Sequence, residues 1–94
     1  MISEHAEIHV HPGAGGELES VFLEIRGLLL AASGCSGATL ARSIDRDNTY
    51  LLCAQWNTLE DHTDVFTASS AGRRVRELLH PLCAAAPRVT HYAH

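Results

Sequence analysis

The segment from Thr49 to Trp56, TYLLCAQW, constrains the fold more than any other part of the chain. Read as a strand, it alternates, with Tyr50, Leu52, Ala54 and Trp56 pointing one way and Leu51, Cys53 and Gln55 the other. Both sets are largely apolar. A strand with one wet face shows polar residues at every second position, so this one belongs to a sheet covered on both sides. Leaving Leu51, Cys53 and their neighbours in water would forfeit several kcal/mol, at ~25 cal/mol per Å² of apolar surface.

The flanking segments supply the cover for one face. Glu7 to His11 alternates as a short first strand, stopped by Pro12 and the glycines that follow it. Leu18, Val21, Phe22, Ile25, Leu28, Leu29 and Ala32 then fall on one helical stripe, with acids in the opening turns and Gly34 as the expected C-cap. Ala38 to Ile44 reads as a second strand, joined to Thr49–Trp56 by a turn at Asp45–Asn48. Thr58 is placed to cap a short helix with Asp61 three residues on, and Val65 and Phe66 are expected on its buried side. Ser69 or Ser70 starts a second helical piece with the stripe Val75, Leu78, Leu79 and Leu82, which Pro81 ends or kinks. Arg88 to Tyr92 is a last strand. The order β-α-β-β-α-β predicts a single α+β domain over residues 1–94, a ferredoxin-like four-stranded antiparallel sheet with its helices on one face. Two helices cover one side only, so a second copy of the sheet is expected to cover the other: a homodimer.

Composition removes several classes of function. The net charge is −4 and all seven basic residues are Arg, clustered only at Arg73, Arg74 and Arg76, which argues against nucleic acid as a partner. The N-terminus lacks a basic segment followed by an apolar run, and no apolar stretch is long enough to span a bilayer, so a cytoplasmic protein without membrane contact is expected. Cys35, Cys53 and Cys83 are odd in number and widely spaced, which suits packing thiols better than disulfides or a zinc ribbon. His5, Glu7, His9 and His11 share one face of the first strand by alternation, and His91 lies on the last strand. His-x-His on a strand can hold a metal, but no further spacing completes a ligand set, so no metal is expected.

The order of elements, the triplet Ala54-Gln55-Trp56, the polar helix start after it, Phe66, the serine break and the amphipathic segment carrying Arg76 together resemble the antibiotic biosynthesis monooxygenase family. That resemblance implies a dimeric α+β barrel and a homodimer. It also implies an oxygenase that uses O₂ without metal, flavin or other cofactor to turn a small phenolic or quinol-type aromatic into a quinone. Carried over by position, Trp56 matches the family's pocket tryptophan and Arg76 its arginine near the substrate phenol. His62 stands where the aromatic-polyketide oxygenases have a tyrosine, Leu52 where they have an asparagine, and Arg42 where they have a histidine. The haem-degrading branch of the superfamily fits less well, because the first strand has no asparagine and Arg74–Arg76 includes no histidine.

On this reading Trp56 is a stacking wall for a flat substrate. Arg76, at the border of its helical stripe, is placed to stabilise a phenolate or peroxide oxygen. His62 is a base or proton shuttle, because imidazole titrates near neutral pH. Leu52, Phe66, Phe22 and Arg42 are expected to line the substrate cavity. Two other readings use the same fold: a non-oxidative ligand-binding or isomerase-like protein, favoured by Leu52 and Arg42, and a dimeric interaction module with a filled core.

Overall fold

The computed structural model describes residues 1–94. Four strands, β1 (Ile2–His9), β2 (Cys35–Arg42), β3 (Thr49–Trp56) and β4 (Arg88–Ala93), form one antiparallel sheet in the order β2-β3-β1-β4. Helix α1 (Gly15–Leu30) and helix α2 (Ser70–Leu79) join them in the expected β-α-β-β-α-β order. No helix is long and apolar enough to cross a membrane.

Register decides which side chains meet. Glu4 lies opposite Ala54 on β3 and His91 on β4, and Ala6 opposite Leu52 and Val89. This face of the sheet, with Ala6, Ile8, Ala38, Tyr50, Leu52, Ala54 and Trp56, is buried under Leu18, Ile25 and Leu29 of α1, Phe66 and Leu82. Phe22, Val21, Val75, Leu78 and Leu79 complete the core from the two helical stripes. Removing this apolar surface from water is the main favourable term that holds the helices to the sheet. The opposite face carries Leu51, Cys53 and Tyr92 among His5, Glu7, His9 and Arg88; Leu51 and Tyr92 are exposed.

Four sequence expectations need correction. The first strand runs from Ile2 to His9 and not from Glu7 to His11, and β2 is Cys35–Arg42, so Ile44 sits in the hairpin turn, 96% exposed. Helix α1 ends at Leu30, and Gly34 instead takes a positive φ of 85° in the turn that follows. A side chain at Gly34 would overlap the Asp61 carboxylate, while its carbonyl accepts from Asn57 N–H at 2.8 Å. Val65 is 57% exposed, whereas Phe66 is buried. The cause is a widened turn: Asp61–Phe66 is a π-helix, in which Thr67 N–H bonds the His62 carbonyl five residues back. Each such turn holds about one residue more than an α turn and shifts the phase of the stripe.

Candidate active site

The site forms where β3 hands over to the π turn. Trp56 ends β3 between Ile2 of β1 and Cys35 of β2, and its ring is 0% exposed. The chain then reverses: Thr58 Oγ1 accepts the Asp61 N–H at 3.2 Å and caps the helix start. The wide turn places His62 and Phe66, four residues apart, on the same side. Both land on Trp56. The His62 ring stacks on the indole at a centroid distance of 5.2 Å and an angle of 20°, and Phe66 tilts against it at 5.5 Å and 52°. Ser69 ends the segment by donating from its hydroxyl to the Phe66 carbonyl at 2.6 Å, and then caps α2 by accepting from Gly72 N–H at 3.1 Å. Gly72 is obligatory, because a Cβ there would overlap the Phe66 carbonyl oxygen.

Under the aromatic stack lies a carboxylate. Glu4, on the helix-facing side of β1, accepts a hydrogen bond from Trp56 Nε1 at 3.0 Å and places the same oxygen, Oε1, 3.4 Å from His62 Nε2. Both side chains are nearly enclosed, at 9% and 11% exposure. Burial raises the proton affinity of Glu4, opposed more weakly by the Trp56 N–H and by His91. Burial also pushes the His62 pKa down to about 4, with His91 adding a smaller push in the same direction. At neutral pH the imidazole is therefore uncharged. Two buried titratable groups in contact, both displaced toward their neutral forms, mark a candidate site for proton transfer.

The residues singled out in the sequence divide. Trp56, His62 and Phe66 come together. Leu52 is buried on the same face of β3, four residues or about 13 Å along the strand from Trp56. Phe22 is half-buried on α1 and packs against the core. Arg76 is exposed: it donates to the Thr67 carbonyl at 3.0 Å and lines a cleft of about 390 Å³ with Leu79, His80 and Cys83. Arg42 is exposed at the end of β2 and lines a wide polar cleft of about 850 Å³ with Arg46, Glu19 and Tyr50, whose hydroxyl donates to Glu19 at 2.7 Å. A smaller apolar cleft of about 200 Å³, between the end of α1 and the π turn, has Phe66, Leu28 and Ala32 in its wall and Asp61 at its edge.

Glu4 is not among the residues that the sequence motifs single out. Its signal is in the strand phase: carrying the alternation back from Ile8 through Ala6 puts Glu4 in the core phase of β1, where a carboxylate is out of place unless something binds it. His91 was read beside the first-strand histidines. It points to the other face, opposite Glu4, while His5, Glu7 and His9 share the far side of β1.

Comparison with known proteins agrees with this architecture. The family model described as antibiotic biosynthesis monooxygenase matches residues 1–78. The Bacillus subtilis protein YczJ is 32% identical over 92 residues, spanning 98% of this chain and 97% of its own. A crystal structure from Bordetella bronchiseptica, described as a candidate antibiotic biosynthesis monooxygenase, superposes with a TM-score of 0.95 at 33% identity, covering 99% of this chain and 95% of that one. SnoaB, a cofactor-independent oxygenase from Streptomyces nogalater, has the same fold, with a TM-score of 0.83 at 24% identity over 99% and 91% of the two chains. By its sequence and its fold, the chain belongs to the antibiotic biosynthesis monooxygenase family.

Proposed function

We propose that the protein is a cofactor-independent oxygenase that converts a small phenolic or quinol-type aromatic into a quinone with O₂. The observation that carries this reading is the enclosed set of Glu4, His62 and Trp56, a neutral imidazole between an aromatic face and a carboxylate. Family membership supports it, since SnoaB, which shares this fold, is a cofactor-independent oxygenase. His62, backed by Glu4, is the base or proton shuttle for the proton that leaves an acidic C–H or O–H of the substrate, and the resulting carbanion is delocalised over the rings. The carbanion passes one electron to O₂, and the radical pair combines to a peroxide at the same carbon. Protonation and loss of water leave a carbonyl: a CH₂ and O₂ become C=O and H₂O. The substrate supplies the electrons, and the protein supplies orientation, a dry wall and a place for the proton. In this reading Trp56 and Phe66 wall the site, Leu52 and Phe22 bound it from the core, and Arg76 and Arg42, each in a cleft of its own, are the proposed anion partners.

A second reading has a specific observation behind it. The Trp56 ring is completely enclosed, and Leu52 offers no hydrogen bond to hold oxygen. Leu52 favours a non-oxidative binding or isomerase-like protein that uses the same proton chemistry without O₂, and the enclosed Trp56 ring suits an interaction module with a filled core. Incubation with anthrone or a simple hydroquinone under air, with and without chelator, decides. Quinone formation with matching oxygen uptake, unaffected by chelator, is expected; a ligand that binds without oxygen uptake would establish the second reading.

The exposed sheet face belongs to the same proposal. Leu51, Cys53 and Tyr92 are the apolar part of a surface that a second copy covers in a face-to-face homodimer. Sedimentation at micromolar concentration is expected to give twice 10.2 kDa, and Leu51→Glu to shift the boundary toward monomer. A wild-type boundary at the monomer mass would remove the dimer and the barrel with it.

A further inference from the structure

The contact between Glu4 and His62 continues outward through a third titratable side chain. His91 of β4 lies opposite Glu4, with its Nε2 2.8 Å from His62 Nδ1 and the two rings 5.1 Å apart. Taking Glu4 as the carboxylate sets the hydrogens along this row. Its Oε1, in charge contact 3.4 Å from His62 Nε2, repels a lone pair there and favours the hydrogen of the neutral ring on that nitrogen. His62 Nδ1 is then a lone pair, and the hydrogen that closes the 2.8 Å bond sits on His91 Nε2. What remains is His91 Nδ1, the one basic lone pair of the row. It has no hydrogen-bond partner in the chain, yet His91 is half-buried and no enclosed side-chain nitrogen lacks a partner, so Nδ1 reaches the surface.

We infer that His91 is the outer end of a proton relay, its Nδ1 taking the proton of the bound molecule while His62 and Glu4 carry charge inward. The inference rests on the oxygenase reading of the site. As the new N–H bond forms at His91 Nδ1, the Nε2–H bond breaks and its proton passes to His62 Nδ1; His62 in turn gives its Nε2 proton to Glu4 Oε1. One proton leaves the bound molecule and one arrives on Glu4, so the negative charge moves from carboxylate to carbanion and nothing is oxidised in this step. The resting place is Glu4, whose proton affinity burial raises, and not His62, which burial holds neutral down to about pH 4. The titratable groups facing His91 are Glu4 from β1 and His62 from the π turn; as the edge strand, β4 has no other strand beside it.

Two measurements test the relay. Long-range ¹H–¹⁵N correlation of the imidazole nitrogens needs no substrate. It is expected to show the Nε2–H tautomer at both His62 and His91, and His91 losing that preference in His62→Gln. A mixed tautomer at His91 in the wild type overturns the proposal. In the anthrone assay, His91→Gln is expected to lower kcat/KM roughly 10²-fold at pH 7, with the deficit closing above the pKa of the substrate itself, where no base is needed. A deficit constant with pH means a structural role and also overturns it. If the wild type makes no quinone at all, the oxygenase reading fails by itself, and the tautomer result still decides whether the row of hydrogens exists as described.

Discussion

Trp56→Ala is expected to lower the free energy of unfolding by about 3–5 kcal/mol, the usual cost of emptying a fully enclosed aromatic site. Trp56 is completely buried, packs against His62 and Phe66, and holds the outermost turn of the helical layer to the end of β3. Truncation also removes the N–H that Glu4 accepts, leaving a buried carboxylate without that donor. A domain of this size has about 5–15 kcal/mol in total, so the alanine variant is expected to be only marginally folded. Trp56→Phe separates the two contributions. It keeps most of the ring and loses the donor, for an expected cost of about 1–3 kcal/mol. Urea titration at neutral pH gives both numbers. A loss below about 1 kcal/mol for the alanine variant would mean that the indole does not anchor this end of the sheet.

The second large effect is acid destabilisation through His62. Its pKa falls from 6.5 in the unfolded chain to about 4 in the folded one. Between those values the unfolded chain binds the extra proton, so the His62 contribution to stability is intact above pH 6.5 and is lost as pH falls toward 4. At 1.36 kcal/mol per pH unit the loss approaches about 3 kcal/mol. Glu4 works in the opposite sense. Its folded pKa is raised, so it contributes stability that is present below its unfolded value of 4.5 and lost as pH rises through the folded one. Because the two overlap, the clean measurement is a difference. His62→Gln should be less sensitive to acid than the wild type by about 3 kcal/mol across this window, read from chemical denaturation at steps between pH 7 and 4. Parallel profiles would show that His62 is not held neutral by its surroundings.

Where periodicity governed, the architecture was legible in the sequence. The alternation of Thr49–Trp56, the stripe of α1, the hairpin turn at Asp45–Asn48 and the serine cap before α2 each follow from one local rule, and each is present. The readings that failed lie around the site. The start of β1 was missed because Glu4 occupies a core position, which breaks the alternation that marks a strand; the partner that makes this tolerable, Trp56, lies 52 residues away. A stripe at 3.6 residues per turn puts Val65 inward, but the segment is wider than that, and Val65 turns out to solvent. Arg76 has a partner that no periodicity announces: the break at Ser69 leaves the Thr67 carbonyl within its reach, and its guanidinium donates there. Long-range partners and local changes of helical pitch leave no periodic trace, and the site is built from both.

The π turn also bears on how such a site is gained or lost. It differs from ordinary helix by a single extra residue, so one inserted codon is enough to turn an imidazole inward onto a tryptophan, and one deleted codon turns it back toward water. Among relatives that share this scaffold, the presence of the inward histidine should therefore follow the length of the segment after β3 more closely than the residue types within it.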